Sequence, residues 1–171
     1  MAKTTFSGPV LSQNGVGFLG SIIPGLTGLT ASTVATATTL TYAANTITVN
    51  NYTGAAAQTV TLPAAEQGVI VVHAQSVDTT GGTAKLIFDC AGTDVLATGS
   101  VFESRSANAV TFDTSTAGET RLEYTPASAT TNLFSIGSYI YFTCVQDGTW
   151  QVSADLKSLG AGTTGAFAFA A

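Results

Sequence analysis

The sequence predicts an all-β protein: a β-sandwich or jelly-roll-like domain with an extended N-terminal arm and a short C-terminal tail. Three observations predict it. Apolar residues alternate with threonine in short runs. Gly, Asn, Asp and Ser punctuate those runs at the roughly eight- to twelve-residue spacing of sandwiches and barrels. No stretch keeps a helical period for more than one turn, the best being "ATTNLFSIG" with Leu133, Phe134 and Ile136.

Residues 1–34 read as the arm. From Thr4 to Ala65 no side chain is ionised. The stretch "GPVLSQNGVGFLGSIIPGLTGLTAS", 8–32, scatters large apolar residues among glycine and proline with neither a helix nor a strand period. Such a segment is built to lie on something, with Phe6, Val10, Leu11, Phe18, Leu19, Ile22, Ile23, Leu26 and Leu29 as anchors. Ordering it costs about 1–2 kcal/mol per residue, more than its side chains return by burial. Backbone hydrogen bonds to a partner, or many copies engaging together, must supply the rest.

Residues 35–157 read as the sandwich. In "TTLTYAANTITVNN", Leu40 and Tyr42, then Ile47 and Val49, flank a turn-like "AAN", which predicts a hairpin with threonine on its outward face. "QTVTLPA" repeats the alternation with Val60 and Leu62. "GVIVVHAQSV" is continuously apolar, as expected of a strand in the middle of the core, and "TTGG" at 79–82 turns the chain into "AKLIFDC". Further strands are expected at "VLATG", "SVFESRS", "AVTFD", "ETRLEYT", "YIYFTCV" and "TWQVSA". Asp147-Gly148 is the strongest hairpin signal and joins the last two, with Trp150 closing the turn. In the tail, 158–171, Phe167 and Phe169 alternate with alanine, which favours a strand added to a neighbour's sheet over a frayed end.

Composition bounds the function. Charged residues are 9% of the chain against a norm of roughly 25%, so much of the surface is expected to be covered by partners. The net charge is −5 and the five basic residues are scattered, which argues against nucleic acid. No apolar run has the length of a membrane span or a secretory signal. Cys90 and Cys144 sit in apolar runs and read as buried free thiols.

Nothing predicts a catalytic residue, a metal site or a cofactor. His73, the single histidine, lies in an apolar strand, where a structural role with both nitrogens satisfied is expected. The acids Asp89 with Asp94, and Asp113 with Glu119, match no calcium-loop spacing. "GVGFLG" lacks the preceding strand and following helix of a nucleotide loop. A sugar-binding reading rests on Trp150 and Tyr52 alone.

The opening "KTTFSGPVLSQNG", residues 3–15, resembles the N-terminal signature of small virion structural proteins of tailed bacteriophages of marine bacteria. An aromatic commonly follows the Asn-Gly in that family; here the position is Val16, with Phe18 two residues on. The resemblance implies a non-enzymatic virion protein, assembled in the host cytoplasm. Within that class the first expectation is a capsid decoration (cement) protein, a homotrimer on the capsid surface. It would contact the major capsid protein through Phe6, Pro9, Val10, Phe18, Ile22 and Ile23. Phe167 and Phe169 would meet neighbouring copies. The alternative is a tail, fibre or receptor-binding adhesion component.

Overall fold

β-Branched and aromatic residues in short runs leave no helical stripe to bury, and in the computed structural model of the chain they form strands. The structure describes residues 28–31, 39–80, 82–105, 110–126, 134–157 and 165–171, with the backbone alone at 28–31, 101–105 and 110–113. Among these residues there are strands and no helix. In chain order they are β1 (Gly28–Ala31), β2 (Thr39–Thr41), β3 (Thr46–Asn50), β4 (Gln58–Thr61), β5 (Ile70–Gln75), β6 (Leu86–Asp89) and β7 (Val95–Leu96). Then follow β8 (Val101–Arg105), β9 (Val110–Thr114), β10 (Arg121–Thr125), β11 (Tyr139–Gln146), β12 (Thr149–Asp155) and β13 (Ala166–Ala170). The chain is all-β, as its patterning predicts.

From β1 to β6 the chain changes sheet at every connection. β1, β3 and β5 lie side by side in one sheet and β2, β4 and β6 in the other, each paired in parallel with the strand two before it. The first half is thus a short coil of the parallel β-helix kind. The second half completes both sheets with antiparallel strands. β11 joins β5 and brings β12, whose far edge carries β7; β10 joins β6 and carries β13. The larger sheet has the order β1-β3-β5-β11-β12-β7 and the smaller β13-β10-β6-β4-β2, with β8 and β9 forming a separate ribbon. The parallel coil sets this topology apart from the antiparallel order of a jelly roll.

Side chains of both sheets share one core. Val71, Ile140, Phe142, Trp150 and Val152 of the larger sheet meet Val60, Leu86, Phe88, Leu122, Tyr124 and Phe167 of the smaller. Phe88 and Phe142 span the two layers with ring centroids 5.2 Å apart. Each such side chain contributes about 1.5–3 kcal/mol by leaving water.

Several expectations meet a different outcome. The "AAN" hairpin does not form: β2 and β3 belong to different sheets, and the turn between them, with Asn45 at φ 57°, carries the chain from one layer to the other. Its strands pair with strands one coil away, because an arch between layers separates the two backbones it connects. β3 is also inverted relative to the expected faces. Thr46, Thr48 and Asn50 are buried inward, while Ile47 and Val49 are half-buried on the outer face. "FSIG" holds a turn and no helix at residues 134–137, Leu133 lying outside the described residues.

The hairpin at Asp147-Gly148 forms as read, joining β11 to β12 with Gly148 at φ 77°, a left-handed geometry that glycine adopts freely. β1 falls within the expected arm of 1–34, yet it is an edge strand of the larger sheet. β13 falls within the expected tail and pairs with β10 of its own chain. Phe167 is buried against Tyr124, ring centroids 4.7 Å apart, and Phe169 packs partly buried on the same core. A tethered strand reaches β10 at a far higher effective concentration than any neighbour's does.

Candidate functional site

Strand side chains alternate between two faces, so each sheet has an inner face on the core and an outer face. The outer face of the smaller sheet is mostly polar, with Ile87 set between Thr59 and Glu123. Thr59 and Thr61 lie on β4, Lys85 meets Glu123 at 2.6 Å, and Arg121 Nε donates to Asp89 Oδ1 at 3.0 Å. These ion pairs are partly exposed and individually worth little. Their place is the ordinary one for charge.

The outer face of the larger sheet is different. Ile47 on β3, Val72 on β5 and Tyr141 on β11 stand in one cross-strand row. Val49, Ala74 and Tyr139 stand in the next, and Ile70 lies beside Thr143. Val72 is 2% exposed and Ala74 8%, yet neither belongs to the core between the sheets. Tyr139, 37% exposed, stacks on Tyr141 with ring centroids 6.2 Å apart. An apolar patch therefore spans β3, β5 and β11 on the side of the sheet away from the core. It is the strongest candidate interaction surface among the described residues.

The inner face of β3 and β5 carries polar groups. His73 on β5 is fully buried. Its Nδ1 lies 2.8 Å from the Tyr42 hydroxyl and its Nε2 lies 3.2 Å from Gln75 Oε1. A side-chain amide oxygen only accepts, so Nε2 carries the proton and Nδ1 accepts from Tyr42. Tyr42 in turn accepts from Asn50 Nδ2 at 3.0 Å, and the same amide donates to Gln58 Oε1 at 2.7 Å. Gln75 Nε2 donates to the carbonyls of Tyr52 at 2.5 Å and Val77 at 2.8 Å. The seam satisfies a neutral imidazole on both nitrogens, and burial pushes its pKa down to about 4. His73 is structural in this arrangement: it has no free nitrogen with which to act as a base.

The other residues singled out by sequence fall as follows. Trp150 and Tyr52 are buried, so neither offers a ring face to a sugar. Trp150 Nε1 has no hydrogen-bond partner. Asp89 pairs with Arg121, Asp94 Oδ2 accepts from the Ala65 amide at 2.7 Å, and Glu119 Oε2 accepts from the Thr116 amide at 2.6 Å. The side chain of Asp113 lies outside the description. Among the described residues no three His, Cys, Asp or Glu side chains gather as metal ligands. Both cysteines are free thiols, Cys144 buried and Cys90 half-buried. Burial, helped by Asp94 and Asp89, pushes Cys90 up to about 12.

Phe6, Pro9, Val10, Phe18, Ile22 and Ile23 lie outside the described residues. The apolar outer face was missed by sequence reasoning. Its signal was present in "VIVV" and "YIYF", where both alternating sets of positions are apolar, a pattern that calls for burial on two sides. Compared with protein families, curated proteins and solved structures, the chain matches nothing.

Proposed function

We propose that the protein is a non-enzymatic structural component of a bacteriophage particle, a capsid decoration protein that stabilises the shell by binding major capsid subunits. The observation that carries this reading is the stretch "KTTFSGPVLSQNG" and its resemblance to virion proteins. The uncharged composition of the segment around it fits a chain made to lie along another protein's surface. In this reading the two sheets act as one sandwich, held as a trimer over the shell, and the residues before Gly28 form the arm. A ligand that binds only the assembled shell stabilises it by mass action.

The alternative, a tail, fibre or adhesion component, calls for exposed aromatics clustered on loops. Among the described residues Phe88, Tyr124, Phe134, Phe142 and Trp150 are all buried, and Tyr139 is on a strand. That distribution favours the decoration reading.

Co-sedimentation tests it. The full chain is mixed with purified shells lacking it, and separately with tails and host cells. Saturable binding to shells that Phe6→Asp together with Val10→Asp abolishes is the expected result. Binding to tails or cells, indifferent to those substitutions, would overturn the proposal. Substitution is preferable to deleting residues 2–34, which would also remove β1 from its sheet.

A further inference from the structure

We infer that the contact between Tyr42 and His73 is an acid-operated latch: a second proton on the imidazole releases Tyr42, and with it β2 and the arch at residues 43–45, while the other strands of both sheets stay paired. The proton count of the buried seam is the first argument. Nε2 already donates to Gln75 Oε1, so the second proton goes on Nδ1, the atom that accepts from the Tyr42 hydroxyl at 2.8 Å. The new N–H points at the Tyr42 oxygen, and the Tyr42 proton loses its acceptor. The Asn50 amide beside the hydroxyl is a donor. Gln58 Oε1, Asn50 Oδ1 and Gln75 Oε1 already accept, from Asn50 Nδ2, the Tyr52 amide and His73. A buried donor without an acceptor and a buried cation without an anion both favour opening.

No carboxylate among the groups facing the ring offsets its charge. Besides Tyr42 and Gln75, the elements packed against it present Thr48 of β3, Ile140 of β11, Phe88 of β6 and Phe134. Tyr42 is the one titratable group in that set, and burial keeps its hydroxyl protonated. Asp78, the acid nearest in sequence, accepts from the Ile136 amide at 3.0 Å.

Position decides which partner yields. His73 lies on β5, between β3 and β11, and the Phe88 and Phe134 ring centroids stand 5.1 and 5.3 Å from its own. Tyr42 follows β2, a three-residue strand at the edge of the smaller sheet, where β4 alone is its neighbour. Thr39 and Thr41 are exposed and Leu40 is half-buried, so Tyr42 is the deeply buried anchor of this stretch. Two backbone donors mark its attachment to the body: the Tyr42 amide bonds the Thr61 carbonyl at 3.0 Å, and the Ile70 amide bonds Asn45 Oδ1 at 3.1 Å. Release of the stretch leaves the backbone edge of β4 open to another strand.

This inference goes beyond the virion reading and does not rest on it. Native-state hydrogen exchange on the full chain tests it at about pH 7 and about pH 4.5, each in a series of urea concentrations below the unfolding transition. The imidazole titrates at 6.5 when exposed and at about 4 in place, so the opening constant rises about 60-fold between those two pH values. After correction for intrinsic rates, the Tyr42 and Ile70 amides are expected to lose protection by that factor, independently of urea, because a local opening exposes little surface. The amides of β11 and β12 are expected to exchange faster as urea rises. His73→Gln is expected to abolish the acid effect at Tyr42 and Ile70. Undiminished protection of these two amides at the lower pH, or an acid effect that survives in the variant, would overturn the inference. So would a loss that follows urea in step with β11 and β12, which is unfolding of the whole chain. Should the variant not fold, the urea dependence of the wild type decides by itself.

Discussion

Acid should loosen this protein through His73. The imidazole is fully buried, neutral and hydrogen-bonded on both nitrogens, and its pKa falls from 6.5 to about 4. Between those values the unfolded chain binds a proton that the folded chain refuses. Stability from this group is therefore complete above about pH 6.5 and is lost as the pH falls toward about 4. One pKa unit corresponds to about 1.4 kcal/mol, so the whole window is worth about 3 kcal/mol. Between about pH 7 and about pH 4.5 the loss is about 2.4 kcal/mol, or about 5–10 °C in melting temperature for a chain of this length. The assay is urea unfolding of wild type and His73→Gln at both pH values. Carboxylates titrate alike in the two proteins and cancel in the comparison. The variant is expected to start less stable, because the Tyr42 and Gln75 contacts are disturbed, and to lose about 2.4 kcal/mol less on acidification. Equal losses in the two proteins would refute the reasoning and place the acid sensitivity elsewhere.

Two further predictions concern packing. Trp150→Ala should cost about 3–5 kcal/mol in denaturant unfolding, and Trp150→Phe under half of that, because the indole N–H makes no hydrogen bond to lose. Gly165→Ala should destabilise by about 1–3 kcal/mol, since the residue sits at φ 103° and a Cβ there would lie 2.8 Å from the Tyr124 hydroxyl. Its effect should concentrate on β13, read as faster exchange of the amides of residues 166–170.

Much of the fold is legible in the chain because some patterns are local. The Asp147-Gly148 turn needs only two residues and strands long enough to pair beside it, and it forms as read. Val60 and Leu62 alternate with Thr59 and Thr61 and face inward as alternation requires. An imidazole set among "VIVV" neighbours had to be buried and satisfied, though the partners Tyr42 and Gln75 come from other positions that spacing does not single out. The candidate surface was half legible. "VIVV" and "YIYF" announce two covered faces, but only the cross-strand registers bring Ile47, Val72 and Tyr141 into one row.

The sequence by itself determined that this chain is all strand, where its tightest turn lies and which runs are most deeply buried, because those follow from side-chain period and turn chemistry within a few residues. Tertiary structure alone decided which sheet each strand joins, that β2 and β3 part company across an arch, that β3 shows its apolar side outward, and that β13 completes its own chain's sheet. Alternation divides a strand into two sets of side chains without saying which set faces the core. That choice is made by partners outside β3: Tyr42 and Gln58 hold the Asn50 side chain inward on β3, and Ile47 and Val49 are left on the other side.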